Sequence, residues 1–176
     1  QGVAMAPTGV ESSDSNIKVL HGVQSIGITT NFNLEQAFEL GQIQIYENIE
    51  GTPEVEVTLE KVLDGHPLIY HTATQDATSP SLVNRSASRC MIALGVFPET
   101  NDVITGNAPA EVLMSGMYIS SISYTLAGDG NSTESVSFVG NNKTWSTTAK
   151  LLTTNNTAEI PGSTVGTDAP NGSGVG

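Results

Sequence analysis

The segment Glu54–Glu60 (EVEVTLE) is the strongest constraint on what this chain can fold into. Its residues alternate strictly: Val55, Val57 and Leu59 fall on one side of an extended chain, and Glu54, Glu56, Thr58 and Glu60 on the other. Successive side chains of a strand point to opposite faces, so a period of two means a strand with one apolar and one acidic face. A helix would scatter the same residues around its circumference. The alternation returns nearer the far end of the chain. Ile122, Tyr124 and Leu126 alternate with Ser121, Ser123 and Thr125, a turn follows at Gly128-Asp129-Gly130-Asn131, and Val136 and Phe138 then alternate with Ser135 and Ser137. This predicts a β-hairpin with one apolar face and one face of hydroxyls. In a third run Ile43 and Ile45 oppose Gln42 and Gln44, and Asn48, Gly51 and Pro53 separate it from Glu54. That spacing predicts a second hairpin, joining 42–46 to 54–60 through a loop at 47–53.

Two further strands are expected at 17–29 and at 89–97 (RCMIALGVF), the latter apolar enough to be buried on both faces. Ser79 as N-cap with Pro80 at the first helical position predicts a short helix reaching Ser88 and presenting Leu82, Val83 and Ala87. Residues 32–40 (FNLEQAFEL, ending at Leu40) read equally as a helix or as a connecting loop. Residues 1–16 show no period and are expected to form an N-terminal arm, and a chain that opens on Gln1 is expected to be a processed or trimmed form. Residues 153–176 are dominated by Thr, Asn, Gly, Ser and Pro, the composition of a flexible C-terminal tail or linker. One β domain over 17–152 remains, mainly β: a β-sandwich or rolled β-sheet with one short flanking α-helix.

Charge narrows the function. The chain carries a formal net charge of -12, with 18 acidic residues against 6 basic ones. Eight carboxylates (Glu35, Glu39, Glu47, Glu50, Glu54, Glu56, Glu60, Asp64) fall between positions 35 and 64 with one base, Lys61. Affinity for a nucleic-acid backbone comes mainly from Lys and Arg, so a duplex-gripping protein is not expected, although a surface that repels DNA remains open. The glutamate row alternates too regularly for a catalytic acid–base pair and reads as a solvated strand face. His21, His66 and His71 have no zinc spacing with Cys90, and the Asp129 turn lacks the ligands of a calcium loop. No G-x-S-x-G elbow or phosphate-binding glycine loop occurs. Neither enzyme activity, metal nor cofactor is expected. Cys90 is the single cysteine, which removes an internal disulfide, and no run of about 18 apolar residues suggests a membrane partner. Sequons at Asn84, Asn131, Asn142, Asn155 and Asn171, within a Ser/Thr/Asn-rich chain, keep one alternative open: a secreted or surface β-sandwich module that binds glycans or adheres.

Three segments in this order carry a resemblance: Tyr46–Thr74 (YENIEGTPEVEVTLEKVLDGHPLIYHTAT), RCMIALGVF, and 121–145 (SISYTLAGDGNSTESVSFVGNNKTW, ending at Trp145). They resemble the tail tube (major tail) proteins of long-tailed bacteriophages, over roughly residues 17–150. The resemblance implies a virion structural protein assembled in the host cytoplasm as stacked hexameric rings. Each subunit would lend strands from two hairpins to an inter-subunit β-barrel with an acidic lumen for DNA passage. On this reading Glu54, Glu56, Glu60, Ser121, Ser123, Ser135 and Ser137 line the lumen, and Val55, Val57, Leu59, Ile122, Tyr124 and Phe138 form the core. The loop at Glu47, Asn48, Glu50 and Gly51 would stack rings, as would the N-terminal arm and the C-terminal tail. Implied partners are further copies of the chain, a tape-measure protein and transiting DNA inside the tube, and sheath or tail-terminator proteins outside it.

Overall fold

The computed structural model describes residues 2–8, 17–38, 45–75, 77–98, 108–148 and 151–152. Within them the chain is mainly β, with antiparallel pairing throughout and two short helices. The strands are β1 (Gly2–Pro7), β2 (Lys18–Val19), β3 (Val23–Asn31), β4 (Leu34–Phe38), β5 (Ile45–Glu50), β6 (Glu54–Val62), β7 (Cys90–Val96), β8 (Ala110–Thr125), β9 (Thr133–Gly140) and β10 (Asn142–Ser146). The helices are α1 (Ile69–Ala73) and α2 (Leu82–Ser86).

β8 is the hinge of the architecture. Its first half pairs with β7 on one side and β10 on the other, while its second half, after Met117, pairs with β9. Gly116, at φ 67°, supplies the left-handed backbone needed between the halves. One strand therefore serves two sheets: β2-β1-β7-β8-β10, and β8-β9-β6-β3. Between them lies the main core, built from Val3 and Met5 of β1, Val55, Val57 and Leu59 of β6, Cys90 and Ile92 of β7, Met114 and Met117 of β8, and Val136 and Phe138 of β9. Ile69 and Ala73 of α1 close one end of this core. Such a two-layer packing of sheets is the sandwich that the alternating strands require.

A second apolar layer covers the far face of the β1–β7 sheet, where Ala4, Ala6 and Ala93 meet Ile17, Val19, Ala108, Leu151 and Leu152. Consequently β1 is buried on both faces. Gly2–Pro7 is thus a central strand, and the expectation that 1–16 forms an arm without a core element is corrected for this stretch. The chain gave no periodic signal there because both faces of GVAMAP need apolar residues, as in any strand covered on two sides. Gly95 shows how tight this layer is: a Cβ there would lie 2.5 Å from Leu152 Cδ1 and 3.0 Å from Ala108 Cβ. Gly95→Val is therefore expected to cost about 2 kcal/mol, the usual penalty of overpacking, measured as a lower urea midpoint with an unchanged slope.

The hairpin expected between 42–46 and 54–60 does not form. β6 pairs instead with β3 (Ile26↔Leu59, Ile28↔Val57) and with β9 (Val57↔Phe138), while β5 pairs with β4 as a separate two-stranded ribbon. Residues 42–44 lie outside the described residues. The ribbon continues the β3–β6 pair beyond a kink, where Asn33 adopts φ 47°, its carbonyl accepts from Gly51 N at 3.2 Å, and its side-chain amide donates to Thr52 O at 2.9 Å. Glu47, Asn48 and Glu50, expected in a loop, are strand residues of β5, and Gly51 opens the connection to β6. Segment 32–40, readable as helix or loop, contains β4.

Of the two helices, α2 starts two residues later than expected. Ser81 is its N-cap, accepting from Asn84 N at 3.4 Å, whereas Ser79 Oγ accepts from Ser81 N just before it. Leu82 and Val83, which this helix was expected to present, are 73% and 79% exposed. The covering helix is α1, which the sequence did not announce. Leu68 at its N-cap contributes no side-chain bond, and the two first-turn N–H groups of Ile69 and Tyr70 are taken by the carboxylate of Glu134, at 2.8 and 3.2 Å. Arg85 ties α2 to α1 through Thr74 Oγ1 at 2.6 Å and lies 5.5 Å from the centre of the Tyr70 ring.

Candidate functional site: an acidic sheet face with two unpaired edges

The sheet β8-β9-β6-β3 has one face in the core and one facing out, and its register sorts the side chains into rows. On the core side the rows read Ile28–Val57–Phe138–Ile119 and Ile26–Leu59–Val136–Ile122. Val55, Val57, Leu59, Val136 and Phe138 are fully buried, and Ile122 packs against them partly exposed.

The outward rows are Asn31–Glu54, Thr29–Glu56–Val139–Tyr118, Gly27–Thr58–Ser137–Ser121 and Ser25–Glu60–Ser135–Ser123. The structure thus brings Glu54, Glu56, Glu60, Ser121, Ser123, Ser135 and Ser137 onto one surface. Hydroxyls knit it together: Thr58 Oγ1 lies 3.3 Å from Ser137 Oγ, Ser25 Oγ donates to Glu60 Oε2 at 3.4 Å, and Ser120 Oγ donates to the Ser137 carbonyl at 3.2 Å. Sequence reasoning missed the contribution of β3, namely Ser25, Gly27 and Thr29. Their alternation with Ile26 and Ile28 is legible, but a bulge between Val23 and Ser25 breaks it at the strand's start.

Lys61, the one base within the acidic segment, does nothing to neutralise this face. It follows Glu60 on β6, so its side chain enters the core side, where it is fully buried. Its ammonium donates to His21 O at 2.9 Å and Asp64 Oδ1 at 2.8 Å. Burial alone would raise the Asp64 carboxyl, but the hydrogen bond and charge of Lys61, with help from His66, hold it below the usual carboxylate range. Among the described residues, no ion pair joins Glu54, Glu56 or Glu60 to a base.

Tyr124, expected in the core, sits at the rim of the sandwich and is 46% exposed. Its register partner Glu134 is fully buried and paired on its other side with Lys61, so the core-side row Lys61–Glu134–Tyr124 is polar where the next two core-side rows along the sheet are apolar. The Tyr124 hydroxyl donates to Glu134 Oε1 at 3.1 Å. Partial burial first, then the charge of Glu134 and this bond, push the phenol up to about 12 from its ordinary 10.0. A raised folded-state value stabilises the fold fully below pH 10 and loses that contribution as pH rises through about 12. Urea midpoints measured from pH 8 to 12 should fall over this window, and Tyr124→Phe should remove that part of the slope.

Among the described residues, no strand pairs with the outer edge of β3, nor with Tyr118–Thr125 of β8 on the side away from β9. Three antiparallel steps separate them, so β3 and β8 run in opposite directions. Long unprotected edges of this kind are templates for pairing with another chain. No cluster of three or more His, Cys, Asp or Glu suited to a metal occurs among the described residues, and none of their helices is long and apolar enough to cross a membrane.

No protein-family model matches the chain, and no curated protein matches its sequence. Solved structures do match its fold. A chain of the SPP1 tail tube superposes with a TM-score of 0.57 at 14% identity, covering 96% of this chain and 94% of that one. A chain from the anti-feeding prophage baseplate reaches 0.55 at 9% identity, covering 82% and 91%. One from the sheath–tube complex of an extracellular contractile injection system in its extended state reaches 0.52 at 6% identity, covering 82% and 87%. At such identities the likeness establishes a shared fold, one found in tail tubes and in phage-like injection particles.

Proposed function

We propose that this chain is a tail-tube subunit: a structural protein of a phage or phage-like particle whose copies form hexameric rings stacked into a hollow tube. The observation that carries this reading is the sheet β8-β9-β6-β3, packed on one face, acidic on the other and, among the described residues, unpaired at two edges of opposite direction. Pairing the β3 edge of one copy with the β8 edge of the next continues the antiparallel alternation without interruption. Six copies of a four-stranded sheet close into a barrel, and closure removes every edge. The apolar face then looks toward each subunit's own core, so Glu54, Glu56, Glu60 and the serines face the bore. A wall of one negative sign, dotted with small hydroxyls, gives DNA nothing to bind while it passes.

The β4–β5 ribbon, with Glu47, Asn48 and Glu50 on β5 and Gly51 behind it, projects past the sheet along its strands and is the element proposed to touch the next ring. A tape-measure protein would occupy the lumen before DNA, with sheath or terminator proteins at the outside and ends. The finished assembly would reside in the virion after assembly in the host cytoplasm.

Negative-stain microscopy and sedimentation of the purified protein test this reading. Hollow filaments or six-fold rings of constant diameter are expected. A monodisperse monomer or small oligomer at all concentrations and salt levels overturns it and favours a glycan-binding or adhesive sandwich module.

A further inference from the structure

A half-open cavity of about 420 Å³ lies against the start of β3, between the two sheets. Val3, Val19, Leu20, Val23, Ile26 and Leu94 give it apolar walls, and Gln24 stands at its lining on the exposed bulge of β3. His21, Gly22 and Ser25 complete a lining that is polar in similar measure. An enclosed apolar cavity of ~150 Å³ holds a benzene-sized group, so the volume here is enough for an aliphatic side chain against the apolar part of the wall. At the other side of the same sheet, Leu126 at the end of β8 is 76% exposed. It is the first residue past β8, and continued alternation after Ile122, which packs against the core, and Tyr124, which reaches the buried Glu134 from the rim, would put it on that same side.

We infer that the cavity beside β3 receives Leu126 from the β8–β9 turn of a neighbouring copy of this chain. The inference rests on the edge pairing proposed above. In that pairing β3 (nine residues) and Tyr118–Thr125 of the neighbour run antiparallel, so the Val23 end of β3 meets the Thr125 end of β8. The turn that follows Thr125 then overhangs the cavity. Strand pairing across the edge keeps each row on its own face, and Leu126, on the core side, meets Val23 and Ile26, which also lie on the core side and line the cavity. Backbone pairing fixes the direction of the interface, and this apolar plug fixes its register. A one-residue slip would turn Leu126 away from the cavity and set Thr125 against its apolar wall.

Disulfide trapping tests this directly. Leu126→Cys and Gln24→Cys are made separately, both at exposed positions, while the native Cys90 is buried. Oxidising a mixture of the two variants after assembly should give a covalent dimer, and neither variant alone should. In parallel, Leu126→Ser should melt like the parent protein yet raise the concentration needed for assembly by about tenfold, the effect of exposing one aliphatic side chain at an interface. Tubes that form without the cross-link, together with unchanged assembly of Leu126→Ser, overturn the plug and leave the tube reading standing. Failure of the unsubstituted protein to form rings or tubes overturns both.

Discussion

Replacing Glu134 by Ala is expected to lower stability by about 3 kcal/mol. Glu134 is fully buried, and its carboxylate accepts three bonds: from Ile69 N, Tyr70 N and the Tyr124 hydroxyl. Removing it strands two backbone N–H groups at the start of α1, each costing roughly 1–3 kcal/mol when buried without a partner. It also leaves the fully buried Lys61 ammonium beside a row that has lost its negative member. Because α1 is one and a half turns long and has no cap of its own, it should come loose before the sheets do. Hydrogen exchange should therefore show lost protection at Thr72 and Thr74 N–H, which bond to Leu68 O and Tyr70 O, at denaturant concentrations where β6 and β9 remain protected. Tyr124→Phe removes one of the three bonds and should cost no more than about 1.5 kcal/mol. Equal losses for the two variants, or no loss for Glu134→Ala, would mean that the carboxylate does not hold the helix.

This helix marks where the chain could be read and where it could not. A five-residue segment with β-branched Ile69 and Thr72 and with Leu68 at its N-cap has no local reason to be helical. Its cap lies 65 residues away in sequence, and only folding brings the two together. The same holds for β1, whose pattern vanishes because a strand covered on both faces has no polar side to alternate. β6 is the opposite case: one face in the core and one in solvent make every second residue declare its direction, so Glu54–Glu60 could be sorted from sequence alone. Alternation fixes faces but says nothing of neighbours. EVEVTLE is equally compatible with a preceding or a distant partner, and the turn-rich residues at 48–53 suggested the wrong one. Residues 48–50 are strand, and 51–53 form a kink in a longer ribbon, with Asn33 and Gly51 bonded across it. The acidic surface was likewise visible as three glutamates, while the share contributed by β3 depended on a pairing that no local signal specifies.

Charge reversal on the open face should change what an assembled tube does with DNA. Converting Glu54, Glu56 and Glu60 together to Lys moves the formal charge from -12 to -6, two units per substitution, and places every change on one face of one strand. All three side chains are exposed, so folding should shift by no more than about 0.5 kcal/mol per site. Residues two apart in a strand stand about 7 Å from one another, inside the screening length of roughly 8 Å at physiological salt, so the parent glutamates repel one another within a copy. If they line a bore, repetition around the ring multiplies that repulsion, and tube formation by the parent protein should strengthen as salt rises from 0.01 to 0.5 M, where screening shortens severalfold. The corresponding Gln triple variant, which removes charge without reversing it, should assemble with little salt dependence. Tubes of the Lys variant should retain duplex DNA at 0.05 M salt and release it steeply as salt increases, since each phosphate contact contributes to the slope. Co-sedimentation of labelled DNA with tubes of the parent, Gln and Lys forms separates these outcomes. Glutamates on the outer wall predict a different pattern: Lys tubes would still bind DNA, but along their exterior. Nuclease would then digest the bound DNA fully, whereas DNA held within the bore would survive as protected fragments.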